Sequence, residues 1–360
     1  MRTVIKKIYK TLCEYYKCRK RIKDMNRFES KVRDFCINNH IDSIPLNDYQ
    51  EIYNFWLPLI DYKVKPYYYS MMNSFEFEYP LYQAVNEAIF FPNMIRKLNP
   101  KYASNVLANK SLYGFLFKDI NRPCELLRNF NGVLLNCDNK IVSLNEGIKA
   151  ILSYGNEVII KPTIDTYGGH GVQIISNYSE SILKQIFEKY KKNFVVQTLV
   201  NQSIQTKQFN PTSLNTFRII TLLLNGKISV LSSIFRCGGK NAVVDNASSG
   251  GMFVGIKHDG TLTRATSYSK LIIDESPAGL KFSNYKIEHF EEVLKLAKSL
   301  HTRIPLCSFA GWDIALDVND NPVFMEVNLN CPDVWLMQIL NGPIFRDRFS
   351  EVIDFVFDKQ

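Results

Sequence analysis

Near the start of the chain, apolar residues fall at Ile5, Ile8, Leu12, Tyr15, Ile22 and Met25, at spacings of three, four or seven. That period lines one side of a helix, so residues 1–40 read as helical, with lysines and arginines filling the other side. Residues 41–100 lose the regularity. Trp56, Tyr67, Tyr68, Tyr69, Phe75, Phe77, Tyr79, Tyr82, Phe90 and Phe91 crowd a stretch broken by Pro45, Pro58, Pro66, Pro80 and Pro92. Proline lacks the helical N–H and clashes with the preceding turn, which excludes long uninterrupted helices there. The aromatics read as packing residues, with a sugar-stacking surface as the alternative. From about residue 101 short apolar runs alternate with helical patterns. Residues 158–162, 172–175 and 194–200 read as strands, and 181–191 and 288–301 as helices. Residues 217–224 and 228–236 form a hairpin turning at Asn225-Gly226, a strong two-residue turn signal. Residues 308–318 and 323–328 form a second hairpin around Asn319-Asp320. The mixture predicts α+β layering rather than regular βαβ winding.

A chain of 360 residues exceeds one typical domain. Its texture divides it into a mostly helical, aromatic-rich region over 1–100 and two α+β portions over 101–200 and 201–360. No apolar run approaches the 18 or so residues that a membrane-spanning helix needs, and the first residues lack the apolar core of a leader peptide. Eight cysteines occur without a Cys-x-x-Cys pair or zinc-type spacing. A cytoplasmic protein with reduced thiols is the expectation.

Charge changes the picture at one place. Residues 1–33 hold 12 Lys/Arg against 3 Asp/Glu, while the remaining 327 hold 32 of each sign and are neutral. The basic segment suits peripheral contact with an anionic membrane, at the inner face in this reading. It equally suits an amphipathic helix packed on the body with a solvated basic face. No recognition motif accompanies the charge, so nucleic acid is not an expected partner.

Two stretches carry candidate chemistry. In the second hairpin, Glu326 and Asn328 point the same way because strand side chains alternate. A two-residue loop at Asn319-Asp320 sets Asp313 directly opposite Glu326; a four-residue loop sets it opposite Asn328. Either way all three share one face. Trp312, Ile314, Leu316, Val323, Met325 and Val327 supply the opposite, core-facing row. Facing carboxylates repel unless a cation lies between them, and oxygen-only ligands suit Mg²⁺. The other stretch, residues 161–171, places Lys161 at a strand end, followed by Gly168, Gly169, His170 and Gly171. Such glycines let backbone N–H groups converge on an anion. A second strand follows instead of a helix, so this is neither a P-loop nor a dinucleotide fingerprint.

In their order along the chain these features resemble the ATP-grasp superfamily, over about residues 110–341. The resemblance implies an ATP-grasp fold of two α+β subdomains clasping ATP. Lys110, within Asn109-Lys-Ser-Leu-Tyr-Gly114, and Lys161 match its two nucleotide-binding lysines. Gly168, Gly169, His170 and Gly171 match the mobile loop over the β/γ-phosphates, His170 standing where many relatives have lysine or serine. Gln197, Thr198 and Val200 match the hinge that meets adenine, with Gln197 where Glu is commoner. Asp313, Glu326 and Asn328 match the metal ligands. The usual acidic ribose partner is missing or replaced by Gln202 or Gln205. Residues 213–219 and 235–251 look like the sugar-transfer-associated branch, in which Arg218 and Arg236 face the transferred phosphate and the acid substrate and Asn246 shapes the acceptor side.

The resemblance implies an ATP- and Mg²⁺-dependent ligase, with Mn²⁺ as an alternative metal. It would join small-molecule or sugar-linked carboxylates to amines through an acyl phosphate, in envelope-polysaccharide or sugar-conjugate synthesis. A small-molecule or sugar kinase and a non-catalytic nucleotide-binding scaffold are the competing readings. None of the five histidines completes a catalytic triad.

Overall fold

The computed structural model describes residues 22–60, 62–164, 170–240, 242, 250–283, 285–330, 332 and 334–357, which fall into two compact units. The first gathers the described residues up to Leu98, the stretch Ser269–Leu271 and the described residues from Val334 onward. It is helical. Residues 22–38 form a helix that buries Met25, Glu29, Val32, Phe35 and Cys36. Phe28 and Phe35 meet the Trp335 ring edge-on, with centroids 6.1 and 5.7 Å away. Ile22, expected on the apolar side, is 43% exposed. Residues 1–21, with most of the basic charge, lie outside the described residues, and the membrane reading falls largely on them.

Prolines act differently at two places. Leu46–Ile60 runs 15 residues with Pro58 inside it, longer than the proline pattern suggested. Pro58 sits in the last turn, where only one upstream carbonyl loses its partner. Glu87–Ile89 passes through a π turn, Phe90–Met94, into Ile95–Leu98, and the wider turn accommodates Pro92. The aromatics form the core: Trp56, Tyr68, Tyr69 and Phe90 are fully buried, and Phe55 stacks on Tyr82 at 4.7 Å. Among the described residues no helix is long and apolar enough to cross a membrane.

The second unit spans Asn99–Tyr268 and Ile272–Pro332 and holds two antiparallel sheets. The smaller contains β1 (Glu125–Phe130), β2 (Val133–Leu135), β3 (Val158–Pro162), β4 (Gln173–Ile175) and β5 (Phe194–Thr198), in the order β2-β1-β5-β3-β4. Its apolar side, with Leu127, Val158, Ile160, Phe194 and Val196, packs on Ile148, Ile151, Leu183 and Phe187. These come from helices Leu144–Tyr154 and Glu180–Tyr190. The larger contains β6 (Thr216–Leu224), β7 (Lys227–Cys237), β8 (Met252–Ile256), β9 (Leu262–Thr266), β10 (Phe309–Leu316) and β11 (Pro322–Asn328), in the order β11-β10-β6-β7-β8-β9. Helix Phe290–His301 covers its apolar side through Phe290, Val293, Leu294, Ala297 and Leu300. Antiparallel pairing with helices on one side of each sheet is α+β architecture.

The β10/β11 hairpin differs from the sequence reading in two details. Its loop is longer: Asp317 N–H donates to Asn321 O at 3.0 Å. Asp317 Oδ1 accepts from the N–H groups of Asn319 and Asn321, and Asp320 takes a left-handed φ of 62°. The register also shifts between Ile314, which pairs with Phe324, and Asp313, which pairs with Glu326. Met325 is the extra residue of this bulge. Phe324 therefore joins Trp312, Ile314, Leu316 and Val327 in the core under helix Phe290–His301, while Val323 is buried outside that cluster and Met325 is only half-buried. Asp313 still lies directly opposite Glu326.

Candidate active site

Each sheet turns its apolar side to its helices, so residues of opposite parity line the other side. On β3 and β5 these are Ile159, Lys161, Val195 and Gln197, with Lys161 paired to Val195. Lys110 comes from a 3-10 turn, Lys110–Leu112, capped by the Asn109 side chain, which accepts from Ser111 N at 3.0 Å. Lys110 N donates to Thr163 O at 3.1 Å, tying that turn to the end of β3 and bringing the lysines together. Among the described residues no carboxylate forms an ion pair with Lys161. Burial, and then the charge of Lys110, pull Lys161 down to about 8.

On the larger sheet Asp313 pairs with Arg218 on one side and Glu326 on the other, while Gly311 pairs with Asn328. All lie opposite the core. The Asp313 carboxylate is gripped by Arg218 through Nε to Oδ1 and Nη2 to Oδ2, the latter 3.0 Å. Arg236 Nη2 donates to Oδ2 at 3.0 Å. Arg218 Nη1 also donates to Pro332 O at 3.1 Å, passing over Gly311, where a Cβ would press on Arg218 Cδ at 3.3 Å. Glu326 pairs with Lys110 at 3.1 Å. Desolvation works to raise the Glu326 carboxyl, but Lys110, Lys161 and Arg218 together hold it down at about 2. Asn328 Nδ2 reaches Asp313 Oδ2 at 3.4 Å and Glu326 Oε1 at 3.5 Å. The three proposed metal ligands thus converge. Four cations, Lys110, Lys161, Arg218 and Arg236, surround two carboxylates and leave an excess of two positive charges, which suits a polyanion.

Two neighbours were missed by sequence reasoning. Tyr113 sits one helical step from Lys110, and its buried hydroxyl accepts from Val327 N at 3.2 Å. One turn therefore holds the Glu326 carboxylate through Lys110 and the next peptide through Tyr113. The i, i+3 spacing of Lys110 and Tyr113 was the available signal. Thr216 Oγ1 accepts from Arg236 Nε at 3.0 Å and Nη2 at 2.8 Å, and orients that guanidinium.

Other expected residues have different standing. Gly168, Gly169 and Asn246 lie outside the described residues. Gly171 takes a φ of 74° with its would-be Cβ 2.9 Å from Pro162 Cγ, so glycine is required there. Its carbonyl accepts from Tyr190 Oη; His170 precedes it at an exposed turn. Gln197 is buried, and its Oε1 has no hydrogen-bond partner among the described residues. Thr198 N donates to Cys124 O at 3.0 Å, so that N–H is committed to the fold, and Val200 lies beyond the end of β5. The Gln202 amide is committed too: Nε2 donates to Ser213 O at 2.6 Å and Oε1 accepts from Asn215 N at 3.1 Å. Gln205 Oε1 accepts from Glu288 N at 2.7 Å. With both amide atoms taken, Gln202 braces the loop instead of facing a ribose.

A family model described as sugar-transfer associated ATP-grasp matches residues 91–354, most of the chain. The chain belongs to the sugar-transfer associated ATP-grasp family. Its α+β second unit is accordingly an ATP-grasp fold, and the match extends into the helical first unit, over residues 91–98, Ser269–Leu271 and the described residues 334–354. Among curated proteins none matches this ATP-grasp chain. Solved structures similar to it include an L-amino acid ligase from Bacillus licheniformis, at 13% identity and a TM-score of 0.38, covering 70% of this chain and 50% of that one. D-alanyl-alanine synthetase A from Vibrio cholerae is similar at 12% identity and 0.42, covering 72% and 66%. Biotin carboxylase from Campylobacter jejuni is similar at 10% and 0.46, covering 73% and 49%. The ATP-grasp chain spans about half the length of the first and last of these.

The donor set fits the hard divalent cation that ATP-grasp enzymes use. Two carboxylates and one amide oxygen lie on one face, with no sulfur or imidazole among them, which is Mg²⁺ or Mn²⁺ chemistry. Asn328 now turns its amide nitrogen to both acids; rotating that amide presents oxygen instead.

Proposed function

We propose that this chain is an ADP-forming ligase that activates a carboxylate with ATP and joins it to an amine. The support is one observation: Lys110, Lys161, Arg218 and Arg236 converge on Asp313 and Glu326 with a two-charge excess. Phosphoryl transfer depends mainly on positioning and charge neutralisation, and that arrangement supplies both. Asp313, Glu326 and Asn328 would hold the divalent cation, which neutralises phosphate oxygens when bound. Lys110 and Lys161 neutralise what remains. Arg218 and Arg236 orient the acid beside the γ-phosphate. A substrate carboxylate oxygen attacks the γ-phosphorus and releases ADP; the amine then attacks the acyl phosphate carbon and releases phosphate. No protein nucleophile is needed. The family's association with sugar transfer supports a sugar-linked acid or amine, in envelope-polysaccharide or sugar-conjugate synthesis.

A pairwise screen of amino acids, uronic acids and nucleotide sugars for ADP release tests this, with hydroxylamine added to trap the activated acid. ADP together with a hydroxamate is the expected result. ADP with a phosphorylated hydroxyl and no hydroxamate means a kinase, and release of AMP and pyrophosphate excludes the acyl-phosphate route.

A further inference from the structure

The segment that delivers Lys110 has little regular structure of its own: the 3-10 turn Lys110–Leu112, then a single helical turn, Tyr113–Leu116. Pieces that short make few internal hydrogen bonds, so the path of the segment is set by what holds it from outside. The grips come from β1 and from the chain on either side of the β1/β2 hairpin. Arg128 Nη1 donates to Ser111 O at 3.1 Å, and the same guanidinium lies over the Phe115 ring, 5.0 Å from its centroid. Asn139 Nδ2 donates to Gly114 O at 3.3 Å. Arg122 Nε donates to Phe117 O at 3.2 Å.

These grips are linked to one another. Glu125 pairs with Arg122 at 2.9 Å and with Arg128 at 3.1 Å. Arg128 Nη2 donates to Asn136 O at 3.2 Å and to Asn139 Oδ1. Arg128 and Glu125 are both buried. Gly114 is glycine for the same reason: a Cβ there would lie 2.6 Å from Glu125 Oε2 and closer still to Arg128 Nη1. Burying a guanidinium and a carboxylate is costly, and well-packed apolar side chains of similar volume often stabilise a core as much or more. What the buried arginine supplies is direction, since its planar fork fixes where its partners stand.

We infer that Glu125, Arg128 and Asn139 form a clamp whose task is to hold Lys110 at the nucleotide site. The inference rests on the ligase reading above and deepens it: these are positioning residues, which act through the turn and not on the ligand. A lysine swings on a flexible four-carbon stem, so its ammonium is only as well placed as the backbone beneath it. Lys110 meets Glu326 at 3.1 Å through its side chain and Thr163 O through its own N–H. A turn that drifted would lose both contacts, and with them the charge that the phosphates need.

A double-mutant cycle on Mg²⁺·ADP affinity, measured calorimetrically, tests the clamp. Arg128→Lys keeps a positive charge beside Glu125 but loses the fork. Asn139→Gly is the milder change: it suits the left-handed φ of 64° and removes the side-chain bonds to Arg128 and Gly114. Each should weaken ADP about tenfold, the worth of one charge-assisted contact of Lys110. In a Lys110→Met background each should change affinity by less than about twofold, because the contact they protect is already gone. Undiminished losses in that background overturn the clamp. So does full affinity in Arg128→Lys, which would reduce the arginine to a counterion for Glu125. A second readout needs no nucleotide. Acetylation of Lys110 by a water-soluble succinimidyl ester, followed by peptide mass spectrometry against the exposed Lys257, should run several-fold faster in Asn139→Gly. A rise confined to Lys110 supports the clamp; an unchanged rate, or faster labelling along the whole chain as a loosened fold gives, overturns it. Wild type that binds no Mg²⁺·ADP would remove the ligase reading, while the labelling would still decide the clamp.

Discussion

Replacing Lys161 with methionine should stabilise the ligand-free protein while removing its nucleotide affinity. Burial, and then the neighbouring Lys110, pull this lysine from its ordinary 10.5 to about 8. Each tenfold loss of proton affinity corresponds to about 1.4 kcal/mol, so keeping the cation at neutral pH costs the folded state about 3 kcal/mol. The sign follows from proton counts. Between pH 8 and 10.5 the unfolded chain holds more protons than the folded one, so stability rises with pH across that window. Below pH 8 the cost is complete. Methionine has similar length without the charge, and urea unfolding near pH 7 should find the variant about 2–3 kcal/mol more stable. The gap should close as pH approaches the ordinary lysine value. A polyphosphate reverses the effect by restoring the lysine's proton affinity. Wild type at pH 8 should therefore take up about half a proton on binding ADP, readable by calorimetry in buffers of different ionisation enthalpy. Equal or lower stability of Lys161→Met, or binding without proton uptake, would refute the reasoning.

Two further outcomes follow from buried hydrogen bonds. Tyr113→Phe leaves the Val327 N–H without its acceptor and should cost about 1–3 kcal/mol in chemical denaturation, with weaker Mg²⁺·ADP binding because Glu326 is the preceding residue. His301 is fully buried, and its Nε2 must donate to Cys307 O at 2.9 Å, which leaves Nδ1 to accept from Thr221 at 2.7 Å. Burial lowers its proton affinity below the ordinary 6.5, so its stabilising contribution is present above that pH and declines as pH falls below it. A melting temperature that drops from pH 7 toward pH 5 in wild type, and drops less in His301→Asn, is the expected pattern.

Much of this was legible in the sequence. Asn225-Gly226 marked the β6/β7 hairpin, and Leu224 does pair with Lys227. The Glu-x-Asn spacing put Glu326 and Asn328 on one face, and alternation on β3 aimed Lys161 away from the helices. Other features depend on tertiary partners. That the amide of Gln202 is taken by Ser213 and Asn215 follows from a loop whose path no local pattern fixes. The burial of Met25 and exposure of Ile22 depend on which turn of the helix meets the rest of its unit. Tyr113 reads as one more aromatic until Val327 lies beside its hydroxyl.

The least legible features are two single-residue bulges, and the site depends on both. Without the shift at Met325, the outer register of the hairpin would continue inward and set Asp313 opposite Met325 and Gly311 opposite Val327. Glu326 and Asn328 would then point into the core, since one residue of slip exchanges the faces of a strand. The odd-length loop and the bulge each reverse that parity, and together they restore it. This is why a two-residue loop without a bulge arrives at the same Asp313–Glu326 pairing. The second bulge lies between Ile220 and Thr221. Extending the turn register without it pairs Arg236 with Asn215 and sends its guanidinium to the side opposite Arg218. With it, Arg236 pairs with Thr216 and joins Arg218 at Asp313. Bulges are commonly placed where a side chain must be re-aimed. Here they turn a carboxylate, an amide and a guanidinium to the one face where two lysines wait, which a regular alternation of apolar and polar residues could not have done.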